Sequence, residues 1–394
     1  MNSIREVVIA SAARTPIGSF NGGLAPVEAT ELGALVIKEA LKRAGVAAEK
    51  VDEVIMGNVL PAGLGQAPAR QAAIFAGLPD AVGCLTINKV CGSGLKAVML
   101  ASQAIALGDA DIIIAGGMEN MSSAPYLLRK ARFGYRMGND EIIDSMVNDG
   151  LWDVYNDFHM GKAAEICANE CNIPREAQDD FSQRSYELAQ EAQRKGYFNE
   201  EIVPVTVKTR KGEVIVDADE EPSRANFDKM RKLRPAFVSD GSVTAANSSK
   251  INDGASALVV MAADVAERMG IKPIARIVGQ AGAAKKSEWF TTAPADAIQK
   301  VLDKTGLTKN DIDLYEINEA FAVVTLAVNQ ILGLDLEKVN VAGGAVALGH
   351  PIGASGARIL TTLLYNLKRL GRKKGIASLC IGGGEAVAVV VEMI

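Results

Sequence analysis

The chain has 394 residues, 48% apolar and 23% charged, which is the composition of a globular protein large enough for two or three domains. Its net charge of −5 argues against general nucleic-acid binding, and we expect neither a membrane span nor a signal peptide. Five cysteines, an odd number without paired metal-ligand spacing, indicate reduced thiols in a cytoplasmic protein and no metal site.

The N-terminal third predicts strands that alternate with helices. Apolar runs indicate buried strands, and apolar residues at helical spacing, each followed by a glycine, indicate helices. In chain order the predicted elements are strand Val7–Ala13, helix Glu31–Ala44, strand Glu53–Met56, a helix ending at Gly77, a helix from Leu95 to Gly108 and strand Asp111–Ala115.

Much of this pattern recurs in the C-terminal third. Leu41–Asn58 aligns without a gap with Leu302–Glu319, and the segment that begins at Cys91 (CGSGLKAV) aligns with the one that begins at Gly353 (GASGARIL). An internal repeat of this kind predicts two similar βα layers. The alternation of strands and helices favours mostly parallel sheets with helices on both faces.

The first copy contains a long insertion. In the first copy the last strand, Ala257–Met261, follows the strand before it only after more than a hundred residues. In the second copy the equivalent strand, Glu385–Glu392, follows at once. We therefore divide the chain into residues 1–118 with 251–271, an inserted loop domain at 119–250, and residues 272–394. Within the insertion we predict helix Asn172–Gly196 and hairpin Ile202–Asp217. The basic segment Arg224–Arg234 is either a solvated face or a docking strip for phosphates.

Four polar or reactive residues open a predicted helix or follow a predicted strand: Cys91, Asn318, His350 and Cys380. Because ligands of α/β sheets bind at the carboxyl ends of strands, we expect these side chains to converge. Cys91 opens a helix, whose dipole favours the thiolate, so it is a candidate nucleophile. His350, in the glycine-rich segment Val341–Arg358, is a candidate base.

The remaining cysteines allow other interpretations. A buried cysteine is often a small apolar residue, and we expect this role for Cys84 and for the pair Cys167 and Cys171. The polar, glycine-rich segment around Cys91 disfavours such a packing role for Cys91. Cys380 precedes three glycines whose amides could stabilise an oxyanion. As a second thiol it is either a disulfide partner of Cys91 or a separate acid and base.

Four segments together resemble the thiolase family, and closely its short-chain branch. They are NKVCGSGLKAV around Cys91, NEAF at Asn318–Phe321, GGAVALGHPIGASGAR around His350 and LCIGGG at Leu379–Gly384. The likeness covers nearly the whole chain. It implies a five-layered α-β-α-β-α fold of duplicated βα layers, with an inserted loop domain that binds coenzyme A.

The resemblance also implies an acetyl-CoA C-acetyltransferase, with acetyl-CoA, acetoacetyl-CoA and coenzyme A as substrates and no other cofactor. Cys91 would attack the first thioester with His350 as base, and Cys380 would take a proton from the methyl group of a second acetyl-CoA. One oxyanion pocket would comprise His350 and a water held by Asn318. The other would comprise the amides of Cys91 and Gly382.

The same resemblance implies a set of residues that bind coenzyme A and its acyl group: Leu151, His159, Met160, Ser249, Ala320 and Phe321 along the pantetheine and acyl channel, and Arg224 at the nucleotide. From the residues alone, Phe321 would be a core residue and His159 either a surface or a site residue. Met160 would restrict the channel to short acyl groups, and Arg224 would contact the nucleotide. The family assembles as dimers or as dimers of dimers, and we expect a homotetramer here. Ser122–Asp140 is either a contact loop or a substrate lid.

Competing functions remain open at this point. A thiolase for longer 3-ketoacyl-CoA chains in fatty-acid breakdown is the main alternative. A β-ketoacyl synthase would lack the second reactive cysteine, and a hydrolase would use Cys91 and His350 alone. A non-catalytic protein with the same fold is disfavoured by the intact set of Cys91, His350 and Cys380.

Overall fold

A computed structural model describes residues 4–394, which form 16 strands and 12 α-helices. The strands are β1 (Val7–Arg14), β2 (Gly18–Ser19), β3 (Glu53–Gly57), β4 (Gly83–Ile87), β5 (Ile112–Asn120), β6 (Tyr126–Leu127), β7 (Ile143–Asp144), β8 (Trp152–Asp153), β9 (Phe158–His159), β10 (Val205–Thr209), β11 (Gly212–Val216), β12 (Asn252–Ala262), β13 (Ala275–Ala284), β14 (Leu314–Ile317), β15 (Lys374–Ile381) and β16 (Glu385–Met393). The helices are α1 (Ala29–Ala44), α2 (Pro68–Phe75), α3 (Ser93–Leu107), α4 (Ser145–Gly150), α5 (Met160–Glu170), α6 (Arg175–Arg194), α7 (Phe227–Met230), α8 (Ala263–Met269), α9 (Ala293–Thr305), α10 (Ala322–Leu332), α11 (Ala345–Leu348) and α12 (Ser355–Arg369).

The main sheet consists of two halves with the same strand order. In the N-terminal half the order is β1–β12–β5–β3–β4, and in the C-terminal half it is β13–β16–β15–β14. A single parallel bridge between Tyr315 and Val339 takes the place of a fifth strand in the second half. The halves meet where β1 pairs with β13. The duplication predicted from the sequence is therefore confirmed.

The helices α3 and α12 form a central layer between the two halves. They pack on each other, and each contacts strands of both halves, while α1 and α2 cover the N-terminal half and α9 covers the C-terminal half. The two central helices cross at glycines, because a Cβ atom on Gly356 would lie 2.2 Å from the Leu95 nitrogen and one on Gly94 would lie 2.7 Å from the Ala357 nitrogen. This backbone contact brings the starts of α3 and α12 together.

The expectation of mostly parallel sheets is wrong. The parallel pairs of the main sheet are β3–β4, β3–β5 and β14–β15, whereas β12 and β16 are antiparallel to their neighbours. In the second half, β16 follows β15 after a tight turn, in which Gly383 and Gly384 both have φ of 89°. In each half the last strand thus lies antiparallel between the first strand and the penultimate one.

The inserted elements, β6–β11 and α4–α7, lie between β5 and β12. The predicted hairpin is present as β10–β11, and the predicted helix is present as α6. The strands around the insertion are longer than predicted, since β5 extends to Asn120 and pairs with β12 from Asp253 onward. The division of the chain into three domains stays a prediction.

One segment of the described residues, Val90–Leu107, is long and apolar enough to cross a membrane by length and composition. It contains α3, which packs between the two halves of the sheet. Its apolar character is therefore explained by its central place in the fold.

Candidate active site

A cavity of about 450 Å³ lies where the central helices begin and β15 ends. Cys91, His350 and Gly382 line it. All the residues that the resemblance assigns to coenzyme A and its acyl group line it too: Leu151, His159, Met160, Arg224, Ser249, Ala320 and Phe321. The sequence therefore named ten of the 22 residues that line the cavity. Phe237, Phe290, Glu221 and Lys250 are lining residues that the sequence reasoning missed.

Cys91 is held by a strained turn. The residue before it, Val90, has φ of 44°, which is unusual for a β-branched residue and costly unless the surroundings enforce it. Here the Val90 N–H donates to Asn88 Oδ1 at 2.9 Å, and Ser93 Oγ donates to the Val90 carbonyl at 2.7 Å. Ser93 Oγ also accepts the Lys89 N–H at 2.8 Å. These bonds fix the direction in which Cys91 points.

The Cys91 sulfur is a neutral thiol at rest. Burial raises the pKa of the Cys91 thiol to about 11, although the N–H groups of Gly382 and of Cys91 itself donate hydrogen bonds to the sulfur and oppose this rise. Burial therefore opposes the thiolate that the start of the helix was expected to favour. Helix α3 begins at Ser93, so Cys91 precedes its first turn, and desolvation outweighs the dipole. The two amides still converge on the reactive sulfur.

The proton position on the His350 ring follows from its neighbours. Ser355 Oγ donates to the Pro351 carbonyl at 2.9 Å, so it accepts from His350 Nδ1 at 2.6 Å. Nδ1 then carries the proton, and the unprotonated Nε2 accepts a hydrogen bond of 3.4 Å from Asn318 Nδ2. Burial, with the positive charge of Arg358, lowers the pKa of His350 to about 3. His350 is therefore a neutral ring with Nε2 available as a base.

Ser355 was missed by the sequence reasoning. It is the first residue of α12, and its side chain is fully buried. The alignment of GASGARIL with CGSGLKAV offered a signal, since it places Ser355 near the start of a helix, where its side chain can turn back toward the loop of His350.

Cys380 and Asn318 do not line the cavity, but each lies against residues that do: Asn318 contacts His350, and Cys380 shares a cluster with Met160 and Phe321. Cys380 is within β15, not after it as predicted, and is fully buried in a cluster with Met160 and Phe321. Burial raises its pKa well above the usual value, and the nearby Cys91 sulfur raises it further. Asn318 is also buried, and its Oδ1 atom has no hydrogen-bond partner within residues 4–394.

Aromatic rings form one wall of the cavity. His159 stacks on Phe237 with ring centroids 4.8 Å apart, and Phe321 meets Phe237 and Phe290 edge-on at 6.1 and 6.3 Å. The Nδ1 atom of His159 accepts the Gly161 N–H at 3.0 Å and caps α5. His159 thus lines the cavity, and Phe321 is both a core residue and a lining residue.

The basic segment of the insertion lies partly at the cavity. Arg224 lines the cavity, and its side chain is 56% exposed and lies 4.0 Å from the Glu221 carboxylate. Arg231 does not line the cavity and forms an ion pair of 2.5 Å with Asp180. The segment is therefore not one continuous strip. Within the described residues no cluster of three or more His, Cys, Asp or Glu side chains could hold a metal ion.

Comparison with known families identifies the architecture. The family model "Thiolase, N-terminal domain" matches residues 7–264, and the model "Thiolase, C-terminal domain" matches residues 271–393. The chain belongs to the thiolase family. It is an acyltransferase by this membership, and the resemblance noted from the four sequence segments is confirmed.

Several relatives are similar over their whole length. An acetyl-CoA acetyltransferase of Cupriavidus necator is 56% identical, over 98% of this chain and 99% of that protein. Acetyl-CoA acetyltransferase 2 of Arabidopsis thaliana is 53% identical, over 99% and 98%. The crystal structure of the Bacillus anthracis acetyl-CoA acetyltransferase superposes with a TM-score of 0.98 at 46% identity and full coverage of both chains. A thiolase of Ascaris suum in complex with coenzyme A gives 0.95 at 43%, covering 99% of this chain and 100% of that one.

Proposed function

We propose that this thiolase is an acetyl-CoA C-acetyltransferase, which condenses two acetyl-CoA molecules to acetoacetyl-CoA and coenzyme A and catalyses the reverse thiolysis. The observation that carries the proposal is the convergence of a cysteine, an unprotonated imidazole nitrogen and two amide donors at one cavity. The names of the relatives and the coenzyme A complex of a structural neighbour support the same substrates.

In the first half-reaction Cys91 attacks the thioester carbonyl while His350 Nε2 takes its proton. The oxyanion accepts hydrogen bonds from the amides of Cys91 and Gly382, and each such donor contributes about 3 kcal/mol in comparable sites. The carbon–sulfur bond to coenzyme A breaks, and the departing thiolate takes the Cys380 proton. The products are acetyl-Cys91, free coenzyme A, a protonated His350 and a Cys380 thiolate.

In the second half-reaction that thiolate removes a proton from the methyl group of another acetyl-CoA. A thiol with a strongly raised pKa gives a strongly basic thiolate, which suits so weak a carbon acid. The enolate oxygen accepts hydrogen bonds from protonated His350 and from a water held at the Asn318 Oδ1 atom. The enolate carbon attacks acetyl-Cys91, and the Cys91 thiolate that leaves regains its proton from His350.

Short acyl groups fit the cavity best. Met160 is 7% exposed, and its sulfur would lie 3.9 Å from a Cβ atom added to Gly382. Met160 therefore lies next to Gly382, whose amide would bind the acyl oxygen. A thiolase for longer chains is not favoured, because the similar relatives are acetyl-CoA acetyltransferases.

The decisive experiment is incubation with acetyl-CoA. We expect a mass gain of one acetyl group on Cys91 together with formation of acetoacetyl-CoA. Acylation followed only by free acetate would indicate a hydrolase, and condensation that requires a carrier-protein substrate would indicate a β-ketoacyl synthase. Absence of coenzyme A exchange into acetyl-CoA would indicate a non-catalytic protein.

We also propose that coenzyme A passes along the predicted channel residues, with Arg224 at the nucleotide end, and that no other cofactor is required. The exposed guanidinium of Arg224 supports a phosphate contact. Replacement of Arg224 by Gln should raise KM for acetyl-CoA without changing KM for a short pantetheine thioester. An equal rise for both thioesters would contradict this role.

A cytoplasmic homotetramer completes the proposal. All five cysteines are free thiols, which supports a reducing compartment. Several apolar side chains of the 126–142 segment are exposed, among them Phe133 at 84% and Met137 at 98%. Light scattering should give the mass of four chains, and replacement of Phe133 and Met137 by Ser should reduce it to that of two.

A further inference from the structure

Lys250 lines the cavity but directs its ammonium group into the wall. Its Nζ atom donates to the Ser248 carbonyl at 2.8 Å and to the Val346 carbonyl at 3.4 Å, and lies 5.7 Å from the centre of the Tyr186 ring. Carbonyl oxygens and a ring face are the partners that a partly desolvated cation requires. Nothing in the catalytic steps above uses this residue.

The Ser248 and Val346 carbonyls belong to two different segments of the site, the wall of the substrate channel and the segment that leads to His350. Ser248 pairs with Phe321 through a single antiparallel bridge, and the Ser249 N–H donates to the Ala320 carbonyl at 3.0 Å, so this segment forms the channel wall. Val346 lies in α11, the short helix that leads directly to His350. Lys250 therefore connects the substrate channel with the segment that carries the base.

A second residue holds the other end of the same segment. Asn252 Oδ1 accepts the His350 backbone N–H at 2.9 Å, two residues along the chain from Lys250. Side chains two positions apart in an extended chain point to the same side. Lys250 and Asn252 thus hold the Val346–His350 segment at both of its ends.

The charges around Lys250 are consistent with this arrangement. Burial lowers the pKa of Lys250 to about 8, and the carboxylates of Glu221 and Glu319 oppose that decrease. Glu319 itself accepts the Val346 N–H at 3.1 Å. The ammonium and this carboxylate therefore bind the carbonyl and the amide of one residue, and together they fix α11.

We propose that Lys250 is a positioning residue, whose ammonium ties the Ser248 wall to α11 and so sets the position of His350 relative to Cys91. The inference rests on the proposed function, because it assigns Lys250 a role in the transfer of the Cys91 proton to His350.

The test compares Lys250→Met and Lys250→Ala with a matched control, Lys309→Met. The Lys309 Nζ atom also donates to two backbone carbonyls, of Leu332 and Gly333 at 2.8 and 3.0 Å, but it is exposed and does not line the cavity. The three readouts are acetylation of Cys91 by acetyl-CoA, alkylation of Cys91 by iodoacetamide and the melting temperature. Unlike acetylation, alkylation does not require binding in the pantetheine channel.

We expect both Lys250 variants to acetylate and alkylate Cys91 about tenfold more slowly, the effect of one lost charge-assisted hydrogen bond, with a smaller change in KM for acetyl-CoA. Lys309→Met should leave both rates at the native value. Methylammonium chloride should restore part of the rate of Lys250→Ala, where it can enter the vacated space. It should not restore Lys250→Met, and tetramethylammonium should restore neither.

Three results would overturn the inference: native rates in Lys250→Met, a rise in KM alone, or a loss of rate that only follows the melting temperature and that methylammonium leaves unchanged. A native chain that fails to acetylate Cys91 would instead refute the proposed function. The two failures are therefore distinguishable in one series of measurements.

Discussion

The hydrogen bond between His350 Nδ1 and Ser355 Oγ can be tested by the substitution Ser355→Ala. The change removes an acceptor 2.6 Å from Nδ1 and leaves a buried N–H group without a partner. Such a group costs about 1–3 kcal/mol. The ring avoids this cost if its proton moves to Nε2, but that tautomer cannot accept the proton of Cys91. The tautomer required for acylation is therefore disfavoured by about the same amount.

A free-energy change of about 1.4–2.8 kcal/mol corresponds to a rate that is about tenfold to hundredfold lower. The assay is single-turnover mass spectrometry of acetyl transfer from acetyl-CoA to Cys91. Ser11→Ala is the matched control, since Ser11 Oγ also makes a buried hydrogen bond of 2.6 Å, to the Ala40 carbonyl, in another part of the core. If folded Ser355→Ala acylates at the native rate, the reasoning from the His350 tautomer is refuted.

Three further predictions concern the reacting groups. Cys380→Ser should leave most of the acetylation of Cys91 intact but lower condensation by about a hundredfold or more, because a general base is lost; equal losses in both half-reactions would contradict this separation. Since the pKa of Cys91 is raised to about 11 and that of His350 lowered to about 3, the pair keeps its proton on Cys91 from about pH 5 to 9. The thiolate that reacts forms when His350 Nε2 takes this proton, which leaves the charge of the pair unchanged, so alkylation of Cys91 by iodoacetamide should be constant over this range. A rate that rises about tenfold per pH unit would show instead that the thiolate forms without His350. Met160→Ala should join the cavity to a neighbouring one of about 370 Å³, which Met160 and Gly382 also line. The ratio of kcat/KM for thiolysis of six-carbon to four-carbon substrates should therefore rise by about tenfold. An unchanged ratio would show that another residue limits chain length.

The sequence predicted local elements and their repetition well. Helices α1 and α9 occupy equivalent places in the two copies, and each ends at a glycine in the left-handed conformation, Gly45 with φ of 66° and Gly306 with φ of 68°. The end of α1 was predicted because capping and apolar periodicity are local properties of the chain. The end of α9 follows from the alignment of Leu41–Asn58 with Leu302–Glu319. The antiparallel placement of β12 between β1 and β5 was missed, because it depends on contacts between distant segments. The antiparallel pairing of β16 with β15 is local and could have been predicted, since a strand that follows after a tight turn cannot lie parallel to the strand before it.

The same distinction applies to the site. The resemblance named the reacting residues and part of the cavity lining, but the protonation state of Cys91 depends on burial and on two groups far away in the chain. The Gly382 N–H lowers the pKa of Cys91, and the Glu119 carboxylate raises it. The hydrogen bond of Ser355 to His350 and the contacts of Lys250 depend on the conformations of loops. A sequence pattern places such residues near a site but does not show which atoms they contact.

The duplicated scaffold also explains why the site contains one nucleophile and not two. Gly353 occupies the position in the second copy that Cys91 occupies in the first, two residues before the central helix. A Cβ atom on Gly353 would lie 2.6 Å from Glu119 Oε2, and the Gly353 N–H already donates to that oxygen at 2.9 Å. No side chain fits at residue 353 while this contact persists. Because the Glu119 carboxylate also contributes to the raised pKa of Cys91, one buried group excludes a second nucleophile and favours the neutral thiol of the first.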